Sequence, residues 1–243
     1  MDVYIQPHSD DICFSLGALA HSRQTGCLLT VFPISGYVPV PAGVARPSAD
    51  WVTRTRIAED RAFAQACGLS LRMLRMPCAS LLGYGPFDLG RVDENLGRVE
   101  TVLVQAVLAL AVAGGGRERP WLFCPCGIGG HVDHVAIRMA ITRHYEPLAQ
   151  RYRIGFYEDL HYASNAASRR SGIDALLQAL PDRALHRLGL PLGAAEATKL
   201  SLIRHYRSQF LHPPDTVDRF TPALGSPSVP HEAIWTEALP AEN

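Results

Sequence analysis

The stretch Val3-Tyr4-Ile5-Gln6-Pro7-His8-Ser9-Asp10-Asp11-Ile12 sets the reading of the whole chain. It opens on a short apolar run, and behind it Ile12, Leu16, Leu19, Ala20 and Arg23 recur at helical spacing. A buried strand therefore ends at Gln6, and one imidazole and two carboxylates crowd the turn before a helix. That turn lies at a strand's C-terminal end, where open α/β sheets place their ligand-binding residues. Adjacent carboxylates repel unless a cation, a shared proton or solvent relieves them. Over a hundred residues on, Gly129-Gly130-His131-Val132-Asp133-His134 has the same setting, after the apolar run Trp121-Leu122-Phe123 and at the start of another helix. Taken singly, Asp11 reads as a helix cap and Asp133 as a first-turn charge. Taken together, the two clusters read as halves of one metal site.

Outward from these motifs, further strands are expected at Leu28–Phe32, Leu71–Leu74 and Ile154–Tyr157. Helices are expected over Arg54–Cys67 and His131–His144, and behind the stripe Leu96, Val99, Leu103, Ala106, Leu110 and Ala113, with Gly114-Gly115-Gly116 as its stop. Two long stretches, 34–51 and 76–90, carry Pro and Gly without a period and read as functional loops. Beyond residue 157 the pattern weakens to short helices at 173–180 and Glu196–Phe210, then a Pro-rich irregular tail from His212. Alternating strands and helices over 3–157 predict a Rossmann-like three-layer α/β/α fold with a mainly parallel sheet. The expected organisation is a single domain over 1–243, with 158–243 closing one side of the cleft.

With 243 residues, 47% hydrophobic and 19% charged, the chain has the balance of a globular protein. A formal net charge of zero gives no reason to expect nucleic acid or an anionic membrane as partner. No run of about 20 apolar residues occurs and no basic, apolar leader precedes Val3, so a cytoplasmic location is expected. Cys13, Cys27, Cys67, Cys78, Cys124 and Cys126 are scattered and read as small reduced core residues, since Cys124-Pro125-Cys126 lacks the spacer of metal or redox motifs.

His131 and His134, three apart at a helix start, face the same way and can enter one cleft with His8 and Asp11. Imidazole and carboxylate without thiolate suit Zn²⁺ in a catalytic site with an open position for water. Iron(II) in a two-His, one-carboxylate arrangement draws on the same ligand types. Arg56, Tyr157, Glu158 and Asp159 lie at or near element ends, where they could hold polyol hydroxyls.

On Pro7-His8-Ser9-Asp10-Asp11 and His131-Val132-Asp133-His134 the sequence resembles the LmbE-like (PIG-L) metal-dependent de-N-acetylases. Supporting matches are Gly127-Ile128-Gly129-Gly130, Arg56 with Glu59-Asp60, Phe156 to Leu160, and Tyr206 to Gln209. The resemblance implies His8, Asp11 and His134 as metal ligands and Asp10 as general base. It implies that His131 stabilises the developing oxyanion or protonates the leaving amine, with Asp133 orienting His131. The chain departs from the family pattern at Ile12, where many members carry Glu, and at Ser9, where Pro is common.

The expected function is zinc-dependent hydrolysis of an N-acetyl or other N-acyl group on a small amino sugar or glycosylated metabolite. Two rivals use the same residues: a non-hydrolytic iron(II) enzyme of biosynthesis, and a sugar-binding module without catalysis. Oligomeric state is not readable from the sequence.

Overall fold

A computed structural model of the chain describes residues 1–112, 119–223 and 229–237. Strands β1 (Val3–Gln6), β2 (Cys27–Thr30), β3 (Ser70–Met73), β4 (Trp121–Pro125) and β5 (Arg153–Tyr157) pair in parallel. β1 and β2 are buried throughout, and β4 and β5 at all but their first residue. That explains why they read as unbroken apolar runs without alternation. β3, at the sheet edge, alternates between exposed and half-buried residues.

The connecting helices are α1 (Asp11–Arg23), α2 (Ala49–Ala66), α3 (Val92–Val112) and α4 (Val132–Arg143), followed by the short α5 (Tyr145–Ala149). α3 packs on α4, and α1 on α7 (Glu196–Ile203). Right-handed crossovers place the two pairs on opposite faces of the sheet, giving the expected three layers. The stripe of α3 is buried at Leu96, Val99, Leu103 and Leu110; its predicted end at Ala113 and Gly114–Gly116 lies outside the described residues. All six cysteines are free and buried. Among the described residues no helix is long and apolar enough to cross a membrane.

The C-terminal region corrects the sequence reading. After α6 (Ala166–Ala179), strands β6 (His186–Pro191) and β7 (His231–Thr236) extend the sheet, whose order is β3-β2-β1-β4-β5-β7-β6. β7 runs antiparallel to both β5 and β6. Neither strand announces itself: β6 is half-exposed, contains Gly189 and ends on Pro191, while β7 is six residues inside a Pro-rich tail. The helix expected to reach Phe210 stops at Ile203. α2 begins five residues before Arg54, because the Ser48 hydroxyl accepts the Trp51 N–H at 3.2 Å and caps it.

α1 is broken at Leu16, whose φ of −133° and ψ of 24° are not helical. The N–H groups of Ala18 and Leu19 donate instead to the Glu232 carboxylate of β7, at 2.8 and 2.9 Å. Lys199 of α7 donates to the same carboxylate at 2.9 Å, and both side chains are fully buried. The pair pins the C-terminal region to the first helix. Lys199→Met leaves an uncompensated buried carboxylate and is expected to destabilise the fold by about 3–5 kcal/mol in denaturant titration. The Lys199→Met/Glu232→Gln double variant should recover part of that loss, because its amide oxygen can still accept one of the two N–H groups.

Candidate metal centre

β1 and β4 are sheet neighbours, registered Val3 to Leu122 and Tyr4 to Phe123. β2 and β3 follow on one side of β1, and β5 on the far side of β4, so the order reverses between them and a crevice opens at their C-terminal ends. Both motifs leave their strands into this crevice. A turn with positive φ at Gly127, Gly129 and Gly130 carries the chain from β4 to His131. At Gly129 a Cβ would come within 2.4 Å of the Tyr162 ring, so no side chain fits there.

His8 Nδ1 lies 3.3 Å from His134 Nε2, and Asp11 Oδ2 lies 3.5 Å from each nitrogen. Ligand atoms about 2.0–2.2 Å from a tetrahedral zinc ion are separated by roughly 3.3–3.5 Å, so this triangle has the size of one face of such a site. The far nitrogens of both rings meet carboxylates: His8 Nε2 with Asp133 Oδ2 at 2.8 Å, and His134 Nδ1 with Asp159 Oδ1 at 2.7 Å. Such partners fix the tautomer and orientation of metal-ligating imidazoles. They are themselves held, Asp133 by the Ala79 N–H and Asn95 Nδ2, Asp159 by the Ile128 N–H.

The electrostatics of the triangle point the same way. Burial opposes a charge on His8, yet its hydrogen bonds to Asp11 and Asp133 prevail and raise its pKa to about 10. His134 is raised likewise, by Asp11 and Asp159 against burial. Burial also opposes a charged Asp11, but the two imidazoles hold its carboxyl well below the usual range. Each group is thus set for positive charge at the centre of the triangle, and a divalent cation fits that demand.

His131 stands apart from this set. Its Nδ1 accepts the Asp133 N–H at 3.2 Å and caps α4, which leaves Nε2 to carry the ring proton. Burial first, then the charges of His8 and His134, lower its pKa to about 2, so the ring is neutral. His8, His131 and His134 also form a looser trio, with ligand atoms within 4.8 Å of one another. The Asp11 triangle is the tighter set, and His131 Nδ1 is already committed to the cap.

Asp10 lies beside the triangle with a φ of 122°, a strained value for a residue other than glycine. Its Oδ2 is 3.1 Å from Arg56 Nη2, which also donates to the Ser9 carbonyl. Burial raises the Asp10 pKa, and Arg56 opposes that rise. Four residues along α2 from Arg56, Asp60 accepts from Gln6, Tyr206, Ser9 and Thr30 at 2.9–3.0 Å. Two side chains from one helix face therefore clamp the turn that holds Asp10, and the surroundings over-determine its strained backbone.

The remaining expected residues are distributed differently. Arg56 lines the cavity beside the triangle, which has a volume of about 420 Å³. Tyr157 and Glu158 do not line it. Tyr157 is buried and donates to the Ile5 carbonyl at 3.1 Å. Glu158 is a buried acceptor for Arg169, Arg187 and Trp235, because β7 covers this side of β5. Asp159 backs His134, and Asp133 backs His8, where the sequence reading had it orient His131. Asn95 was not anticipated, though it could have been suspected as a polar residue beside the apolar stripe of α3, and Asp60 was noted as a motif match without a role. Asp159→Asn keeps the shape of the His134 partner but weakens its pull on the ring. It is expected to lower zinc affinity about 10- to 100-fold in chelator competition.

No protein-family model matches the sequence. The 2′-N-acetylparomamine deacetylase of Streptomyces fradiae is 33% identical over 164 residues, 65% of this chain and 56% of that protein. The chain thus spans little more than half the length of this curated relative. Among solved structures, a deacetylase–teicoplanin complex aligns with a TM-score of 0.65 at 19% identity, over 96% of each chain. The zinc-inhibited form of the teicoplanin deacetylase aligns with a TM-score of 0.62 at 17% identity, also over 96% of each. The likenesses to solved structures carry the fold. In its two motifs and in its match to the Streptomyces fradiae deacetylase, the chain is similar to the LmbE-like (PIG-L) de-N-acetylases.

Proposed function

We propose that the protein hydrolyses the N-acetyl group of an amino sugar or glycosylated small molecule, using a zinc ion held by His8, Asp11 and His134. The observation that carries this reading is the triangle of three donor atoms 3.3–3.5 Å apart, with each imidazole backed by a carboxylate. A divalent ion in that position supplies Lewis acidity and makes water nucleophilic near neutral pH.

The chain's own residues account for the rest. Asp10 is outside the triangle and acts as general base, taking a proton from the attacking water. Arg56 holds its carboxylate in place through Nη2. His131 donates from Nε2 to the amide oxygen as negative charge grows there, acting as a neutral hydrogen-bond donor and not as an imidazolium. Phe14, Phe87, Phe210 and Phe220 give the cavity an apolar wall.

The compound in the relative's name, 2′-N-acetylparomamine, and the teicoplanin named for the structural neighbour support a small-molecule amino-sugar or glycosylated substrate. Incubation with a panel of N-acetylated amino sugars, 2′-N-acetylparomamine included, tests the reading. Acetate and primary amine should form in equal amounts, with added zinc and not with chelator. No amine from any member of the panel would overturn it.

A further inference from the structure

Asp10, Asp11, Arg56 and Arg219 are the carboxylates and guanidinium groups that line the cavity. Three of them are accounted for: Asp11 belongs to the donor triangle, and Asp10 pairs with Arg56 at 3.1 Å. Arg219 has no hydrogen-bond or ion-pair partner among the described residues, and its chain neighbour Asp218 accepts from the Thr216 hydroxyl instead. The turn that carries it, Asp218–Phe220, is anchored. Phe220 is buried, with its ring centroid 4.9 Å from that of Phe14 and 6.0 Å from that of Phe210. Arg219 itself is exposed and lines the cavity. Its charge is felt within the cavity: burial lowers the pKa of His161, another lining residue, and Arg219 lowers it further.

A guanidinium without a partner among the described residues, on an anchored turn lining a ligand cavity, is suited to bidentate capture of a carboxylate or phosphate. It repels a cationic ligand. We propose that Arg219 makes the part of the cavity wall it lines an oxyanion subsite, so that the preferred ligand is an amino sugar bearing a carboxylate or phosphate in addition to its N-acyl group. The proposal rests on the deacetylase reading only for naming the ligand as an N-acyl amino sugar.

Calorimetry on the full chain tests it without requiring turnover, using N-acetylglucosamine, its 6-phosphate and N-acetylmuramic acid. At least one anionic probe should bind about tenfold or more tightly than the neutral sugar. Arg219→Ala should erase that preference, Arg219→Glu should reverse it, and added salt should weaken it in the unsubstituted chain. Preference for the phosphate alone or the carboxylate alone supports the subsite and identifies its oxyanion. Equal affinities for all three probes, no binding of any, or a preference that survives Arg219→Ala would overturn it. If the anionic preference holds while no acetate is released, the subsite stands and the deacetylase reading fails.

Discussion

Asp10→Asn is expected to cut turnover by about 10²- to 10⁴-fold while zinc remains near one per chain. The expectation follows from where Asp10 sits. The three donor atoms that close the triangle come from His8, Asp11 and His134, and the Asp10 carboxylate turns instead to Arg56 at 3.1 Å. Asparagine keeps the size of the side chain and tolerates the positive φ of 122° better than most residues. Arg56 still donates to the Ser9 carbonyl, and Asp60 still holds the Ser9 hydroxyl. The turn should therefore keep its shape and lose only the ability to take a proton. Turnover close to that of the unsubstituted enzyme would remove Asp10 from the role of base. Loss of zinc along with activity would place it among the ligands.

His134→Ala should reduce bound zinc from about one per chain to near none after dialysis, with activity falling to background. The substitution removes one corner of the triangle and strips Asp159 of its strongest partner. Asp159 is 1% exposed and among the described residues keeps only the Ile128 N–H, so the single variant should also lose stability, by about 1–3 kcal/mol. The His134→Ala/Asp159→Asn double variant separates the effects. It removes the stranded charge and should regain stability without regaining zinc. Stoichiometric zinc in either variant would exclude His134 from the ligand set.

Much of this arrangement is legible in the chain because the topology is local where it matters. Each motif directly follows a strand buried through its last residues, and strands of that kind read as plain apolar runs. The reversal of strand order between β1 and β4 then brings motifs over a hundred residues apart into one crevice. The partners behind the triangle's imidazoles are harder to see, because spacing says nothing about which way an imidazole turns. Asp133 sits next to His134 and two residues from His131, yet it bonds His8, reached only by folding. Tyr157 and Glu158 follow the same logic: they sit at a strand end, but an antiparallel strand whose short apolar run, Ala233-Ile234-Trp235, lies in a Pro-rich tail covers them. The break in α1 is hidden for a similar reason, since the carboxylate that takes its freed N–H groups comes from Glu232, more than two hundred residues away.

The central claim is that two distant segments of the chain close a three-donor site of the right size for one divalent ion. Diffraction at the zinc absorption edge, from crystals of the zinc-loaded protein, tests it most directly. A single strong anomalous peak about 2.0–2.2 Å from His8 Nδ1, Asp11 Oδ2 and His134 Nε2 is the expected result, with Asp10 and His131 beyond bonding distance. A peak coordinated by His131 in place of Asp11, or no ordered zinc between β1 and β4, would contradict it.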